Sequence, residues 1–345
     1  FSKKKKFKNK LNFIPIGIKD NINTEYLDTK FGIKVRKKFK SGNNARLVTQ
    51  IEENSGLIFS KLSCAEFAVH YIEKKRGMNP LNKAHIAGTS STGPAISVCV
   101  GALPVAIGTQ TAGSILRPSS YCGVIGFKPT YGAIDRIGVL KTNDLSDTVG
   151  IISKDIYGVK KVFDIILKTG RDYPWTTNYK KNYFRYKNKK NLKIGFFDES
   201  LRDYKNFNDE TKIEYTRTIL KLKNKGMTLS KIGNQKIFDN FHQNFYNIYH
   251  SSLYYYLSNI NPALSGLSNM LKKIILQGKK ISKKKKVYSI NMINKIKKNF
   301  DKVFAEYDFL VVPTTAGFAP RLNQAEKNDT CLIWTTLGYP SITLP

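Results

Sequence analysis

Residues 85–130 read HIAGTSSTGPAISVCVGALPVAIGTQTAGSILRPSSYCGVIGFKPT. Two loops rich in Gly, Ser and Thr bracket an apolar stretch. Within that stretch residues 93–100 are small and apolar and predict a short helix, and residues 104–107 predict a buried strand feeding the second loop. Loops of this composition bare backbone N–H groups and crowd hydroxyls together, which core packing alone does not require.

Working outward, strands and helices alternate. Residues 13–18 predict a strand. Residues 44–54 predict a helix with Leu47, Val48 and Ile51 on one face and Gly56 as its stop, and residues 56–62 return as a strand. Residues 123–127 predict another strand. Residues 155–167 carry Ile156, Val159, Val162, Phe163, Ile166 and Leu167 at helical spacing. A Lys/Asn/Tyr-rich connector at 170–191 is the clearest shift in composition. Beyond it come a strand at 192–197, a helix at 210–224, a strand at 227–232, a mostly helical span at 236–304 and a strand at 309–312. The closing SITLP opens one more strand. The pattern is that of the α/β class.

The chain has 345 residues, 41 % of them hydrophobic, enough for a proper core. No apolar run approaches the ~18 residues of a membrane span. No secretory leader follows the basic FSKKKKFKNK, and the chain opens on Phe rather than Met, so an upstream start is expected. Cys64, Cys99, Cys122 and Cys331 are widely spaced, with no CxxC or Cys/His cluster, so reduced cytoplasmic thiols and no metal are expected. The formal net charge of +33 invites a nucleic-acid reading. The excess is mostly Lys accompanied by Asn, Ile, Tyr and Phe, the mixture an AT-rich genome writes at tolerant surface positions. Runs such as Lys3 to Lys6 and Lys283 to Lys286 lack interleaved aromatics. They are read as solvated faces, and neither nucleic acid nor membrane is expected as a partner.

The chemistry is read from the loops. In GTQTAGS the small residues Thr111, Ala112 and Gly113 precede Ser114, so consecutive N–H groups can converge on one oxygen, each donor being worth about 2.7–4 kcal/mol to a tetrahedral intermediate. Ser114 is the candidate nucleophile; the competing reading is a tight turn between strands. In AGTSSTGP, Ser90 and Ser91 precede the predicted helix and could cap it or face the site. A serine nucleophile needs a base. Of His70, His85, His242 and His250, none lies in a Gly-rich loop. Lys19 ends the apolar IPIGI, and burial would favour its neutral amine, as would surrounding positive charge. The alternative is a strand end reaching solvent. Ser90 could relay a proton between Lys19 and Ser114. Arg117 suits a substrate carboxylate or a structural ion pair.

These residues resemble the amidase signature family. AGTSSTGPAISVCVGALPVAIGTQTAGSILRPSSYCGVIGFKPTYG is similar to that family's Gly- and Ser-rich signature, and IPIGIKDNI to its upstream lysine motif. Weaker similarity runs through DLSDTVGIISKDI, LKIGFFDE, YDFLVVPTTAGFAP and WTTLGYPSITLP. The resemblance implies one α/β domain over residues 1–345 around a large, mixed, twisted sheet. The catalytic core would span roughly 11–170 and a variable, mostly helical region roughly 198–305 would be inserted before the C-terminal strands. It implies a Ser–cis-Ser–Lys triad with Lys19 as base, Ser90 as the bridging cis serine and Ser114 as the acylated nucleophile. Thr111, Ala112 and Gly113 would supply the oxyanion hole, Ser91 would assist, and no cofactor would be needed. The chain departs from the pattern at Thr89, usually Gly, at Thr92, usually Gly or Ser, and at Pro94, usually Ser. Gln110 and Ala112 resemble the small-molecule amidase branch. Relatives continue past Pro345, so a C-terminally truncated sheet is expected.

The expected function is hydrolysis of a small carboxamide, with a homodimer allowed. The alternatives are the glutamine-hydrolysing subunit of a tRNA-dependent amidotransferase, and a catalytically silent or truncated relative. Residues 238–270 are expected to wall the pocket, with Tyr246, Tyr249, Tyr254, Tyr255 and Tyr256 either lining it or serving as core.

Overall fold

The structure, a computed structural model, describes residues 10–33, 42–69, 77–167, 191–198, 202–233, 238–260 and 265–345. The Lys3 to Lys6 run, His70 and nearly all of the 170–191 connector lie outside them. In chain order, β1 (Pro15–Lys19), α1 (Arg46–Glu53), β2 (Leu57–Leu62), β3 (Met78–Asn79) and β4 (Asn82–Ile86) lead into the signature segment. That segment builds α2 (Thr92–Cys99), β5 (Val105–Gln110), α3 (Leu116–Tyr121) and β6 (Ile125–Lys128). Then follow β7 (Thr148–Ser153), α4 (Ile156–Ile166), β8 (Lys193–Phe196), α5 (Asp209–Asn224) and β9 (Thr228–Lys231). The helices α6 (Phe241–Ile260), α7 (Asn269–Lys279) and α8 (Lys283–Phe304) come next. The chain closes with β10 (Phe309–Val311), α9 (Cys331–Thr336) and β11 (Ser341–Thr343).

Six strands form one mixed sheet in the order β11-β6-β7-β5-β1-β2. β1 runs parallel to both β2 and β5, while β7 is antiparallel to β5 and β6, and β11 to β6. The period-two alternation of strands explains how the sheet is covered on both faces. Val105 and Ile107 of β5 join Leu47, Val48 and Ile51 of α1 and Val159, Val162 and Ile166 of α4 in one core. Ala106 and Ile152 point the other way and pack with Ala95 and Val98 of α2. A separate three-stranded parallel sheet, β10-β8-β9, stands apart from the large one.

The α1 face matches the sequence reading, since all three of its apolar residues are buried. On α4 the reading holds for Val159, Val162 and Ile166. Ile156 is exposed at the first turn, where Asp155 caps the helix by accepting from Gly158 N at 2.6 Å. Five elements were not anticipated: β3, β4, β7, α3 and α9. Where a strand-to-strand turn was one reading of the second loop, the chain instead starts a helix at Leu116.

The helical region has its own core. Phe197, Phe238 and Phe300 pack around Trp334 in a cluster that also holds Phe241 and Phe245, and α9 places Leu332, Ile333 and Trp334 in that cluster. Rings of Phe300 and Phe238 stand 5.5 and 6.1 Å from that of Trp334, within aromatic contact range. One face of α9 is thereby pinned to the helices, and the other meets the signature loops. Of the tyrosines expected as pocket wall or core, Tyr249 is buried in this cluster, Tyr246 and Tyr254 pack against it, and Tyr255 is exposed. The Tyr256 hydroxyl donates to Asp144 Oδ2. Among the described residues no helix is long and apolar enough to cross a membrane.

Candidate active site

Lys19 is the last residue of β1 and Gln110 the last of β5, and these strands run parallel with Ile18 opposite Ile107. Side chains at the carboxyl ends of neighbouring parallel strands meet above the sheet, the usual ligand position in open α/β folds. The first serine loop enters the same space. Gly108 makes this possible, because a Cβ there would lie 2.9 Å from Ser91 Oγ.

Lys19 is wholly buried. Its Nζ lies 2.8 Å from Ser90 Oγ, 2.9 Å from Thr109 Oγ1 and 3.2 Å from the Thr109 carbonyl. Burial pushes its pKa down to about 8, against the opposing influence of Cys64 and Asp147. The cause is desolvation and not, as the sequence reading allowed, surrounding positive charge. A neutral amine has two N–H donors and one lone pair. A carbonyl only accepts, so with three oxygens around a neutral Nζ, one hydroxyl must donate into the lone pair. Ser90 can fill that place.

Ser90 is buried and follows a cis peptide bond from Thr89. Ser91 holds the N-cap position of α2 but does not cap it. Its N–H donates to the Ser114 carbonyl at 3.1 Å, and its Oγ donates to the Thr109 carbonyl at 3.1 Å. Ser91 thus ties the Ser114 loop to the end of β5. Ser114 is buried; its hydroxyl makes no hydrogen bond to another described residue.

The loop between Gln110 and α3 is held open by three clamps. Gln110 Oε1 accepts from Ile115 N at 2.6 Å and Leu116 N at 2.9 Å, serving the first N–H groups of α3. Gln110 Nε2 donates to Thr335 Oγ1 at 2.7 Å, and Thr335 Oγ1 lies 2.6 Å from the Ala112 carbonyl it can donate to. Thr111 Oγ1 donates to Asp147 Oδ1 at 2.6 Å. Among the described residues none of the N–H groups of Thr111, Ala112, Gly113 and Ser114 has a backbone acceptor outside regular elements. Gly113 is required by close approach, since a Cβ there would sit 2.6 Å from Arg117 Nη2.

Arg117 is held by two buried carboxylates. Its Nε donates to Asp329 Oδ2 at 2.6 Å and its Nη1 to Glu326 Oε2 at 3.2 Å, all three side chains being buried. Burial disfavours the guanidinium, but the two carboxylates outweigh it and raise its pKa. The structure thus shows the ion-pair role of Arg117. Glu326 also accepts from Thr89 N and Thr89 Oγ1, each at 2.9 Å, fixing the residue before Ser90.

The histidines stand elsewhere. His85 lies in β4 with its ring nitrogen on the Ala319 carbonyl, and His242 and His250 lie in α6. Cys64, Cys122 and Cys331 are buried free thiols, and Cys99 is a partly buried one. The sequence reading missed Asn21, Thr109, Asp147, Glu326, Asp329 and Thr335. Asn21 and Asp147 had a visible signal, polar residues in the conspicuous IPIGIKDNI and DLSDTVG stretches. Glu326 and Asp329 had none.

Comparison with known proteins places the chain in a family. The family model described as Amidase matches residues 2–345. A glutamyl-tRNA(Gln) amidotransferase subunit from Halothermothrix orenii is 28 % identical over 378 aligned positions, covering 96 % of this chain and 77 % of that protein. Among solved structures, Kluyveromyces lactis allophanate hydrolase superposes with a TM-score of 0.86 at 21 % identity, covering 96 % of this chain and 56 % of that one. The corresponding glutamyl-tRNA(Gln) amidotransferase subunit from Thermotoga maritima gives 0.81 at 23 % identity, covering 96 % and 76 %. At those identities the superpositions speak for the fold, and the family match speaks for kinship: the chain belongs to the amidase family, whose enzymes act on amide C–N bonds.

Proposed function

We propose that this protein hydrolyses a small carboxamide through an acyl-enzyme on Ser114. The observation that carries the reading is the wholly buried Lys19 amine, with its pKa lowered to about 8, at 2.8 Å from Ser90 Oγ. Neutral Lys19 takes the Ser90 proton while Ser90 takes that of Ser114, whose Oγ attacks the amide carbon. The N–H groups of Thr111, Ala112 and Gly113 hold the oxyanion. The relay then returns the proton to the leaving nitrogen, which departs as ammonia or an amine. Water enters by the reverse relay and releases the carboxylic acid. No metal or organic cofactor takes part in these steps. The free cysteines support a cytoplasmic setting.

The direct experiment is ammonia release from a panel of aliphatic, aryl and carboxylated amides. Turnover by the full chain and none by Ser114→Ala is expected. Equal activity in both proteins sinks the reading.

A second reading is the glutamine-hydrolysing subunit of a tRNA-dependent amidotransferase. It is favoured by the name of the relative that matches 96 % of the chain. Against it stand Gln110 and Ala112, and Leu116 between Ile115 and Arg117, which follow the small-molecule branch. Co-purification with partner subunits and tRNA from the native source decides in its favour; a protein that turns over simple amides alone decides against it.

A further inference from the structure

Beside Lys19, a small cavity opens among Asn21, Thr109, Thr111, Arg136, Thr142 and Asp147. Its free space admits a water molecule. Two buried polar atoms at this cavity have no hydrogen-bond partner among the described residues. One is Asn21 Oδ1, an acceptor on a side chain only 1 % exposed. The other is Arg136 Nη1, a donor, whose nearest charge is Asp147 Oδ2 at 3.5 Å. Leaving either buried and unmatched costs about 1–3 kcal/mol, more for the charged one.

We propose that this cavity is a binding site for one resident water molecule, which donates to Asn21 Oδ1 and accepts from Arg136 Nη1. The chemistry matches on both sides: the acceptor needs a donor, the donor needs an acceptor, and water is both. A cation is disfavoured by the guanidinium, and an anion by Asp147 and the Asn21 carbonyl oxygen. The water closes a polar circuit. Asn21 Nδ2 donates to Thr109 Oγ1 at 3.0 Å, and that same oxygen accepts from Lys19 Nζ. On the other side Arg136 pairs with Asp147, which accepts from Thr111 Oγ1. The holder of the lysine amine and the wall of the Ser114 loop are joined through one solvent molecule. The site stands whether or not the proposed hydrolysis does, because neither test below reads activity.

A high-resolution crystal structure of the full chain is expected to show one ordered water within hydrogen-bond distance of both atoms. Absence of density there, or an Asn21 amide bonded to a protein group at both ends, overturns the proposal. Independently, Val139→Ile pushes a methyl group toward the same cavity. Filling a dry void would raise the thermal midpoint. Expelling a bound water strands two polar atoms, so the midpoint is expected to fall by about 1–2 °C for each kcal/mol lost. A raised or unchanged midpoint overturns the water site.

Discussion

Gln110 Nε2 donates to Thr335 Oγ1 at 2.7 Å across a sequence separation of 225 residues. This contact fastens the loop before Ser114 to a helix whose opposite face is embedded in the aromatic core around Trp334. The geometry of four backbone N–H groups therefore depends on packing far along the chain.

Replacing Gln110 by Leu leaves the N–H groups of Ile115 and Leu116 without their acceptor and removes the amide that donates to Thr335 Oγ1. A loss of about 1–3 kcal/mol per stranded group is expected in urea unfolding, together with a fall in kcat of about 10²-fold from displacement of the Ser114 loop. Thr335→Val should lower kcat more than it raises KM, and Thr335→Ser should restore it. Equal kcat in Thr335→Val and wild type would argue that the clamp is dispensable.

Arg117 stands between two buried carboxylates. Arg117→Met should destabilise the fold by about 3–5 kcal/mol, since Asp329 and Glu326 would keep their charges in the interior without a counterion. The loss should be the same whether the amide substrate carries a carboxylate or not. A rise in KM confined to carboxylated amides would instead restore Arg117 to the substrate.

Lys128 is a second wholly buried lysine, its Nζ on the Pro129 carbonyl at 2.9 Å. Burial pushes its pKa down to about 7, with Cys331 opposing. The folded value lies below the ordinary one of 10.5, so the unfolded chain binds more protons between them. The contribution of Lys128 is thus fully present above about pH 10.5 and is lost as pH falls through about 7. Lys128→Met should stabilise the protein, and by more at about pH 6 than at about pH 9, in paired urea titrations. The same difference at both pH values would contradict this assignment.

The sheet and its first helices were legible because their signals are local. Alternating apolar residues in β1 and β5, and Leu47, Val48 and Ile51 on α1, need no distant partner to be recognised. Lys19, Ser90 and Ser114 stood out because a lysine after an apolar strand and serines among glycines are unusual company. The partners that orient them were not legible. Glu326 and Asp329 meet Thr89 and Arg117 only after more than two hundred residues of chain have folded between them. Arg117 stayed open between a substrate carboxylate and an ion pair for the same reason: its ion pairs are a tertiary fact. β7 did carry a local signal, since TVGIIS is rich in β-branched residues.

The most direct measurement is the pH dependence of fluorophosphonate labelling, with the modified residue located by mass spectrometry. A single adduct on Ser114 is predicted, forming at a rate that climbs as pH rises through about 8, where Lys19 loses its proton. Lys19→Met should abolish both the climb and nearly all of the labelling. Modification of another residue, or an unaltered pH profile in Lys19→Met, would contradict a proton relay that starts at the Lys19 amine.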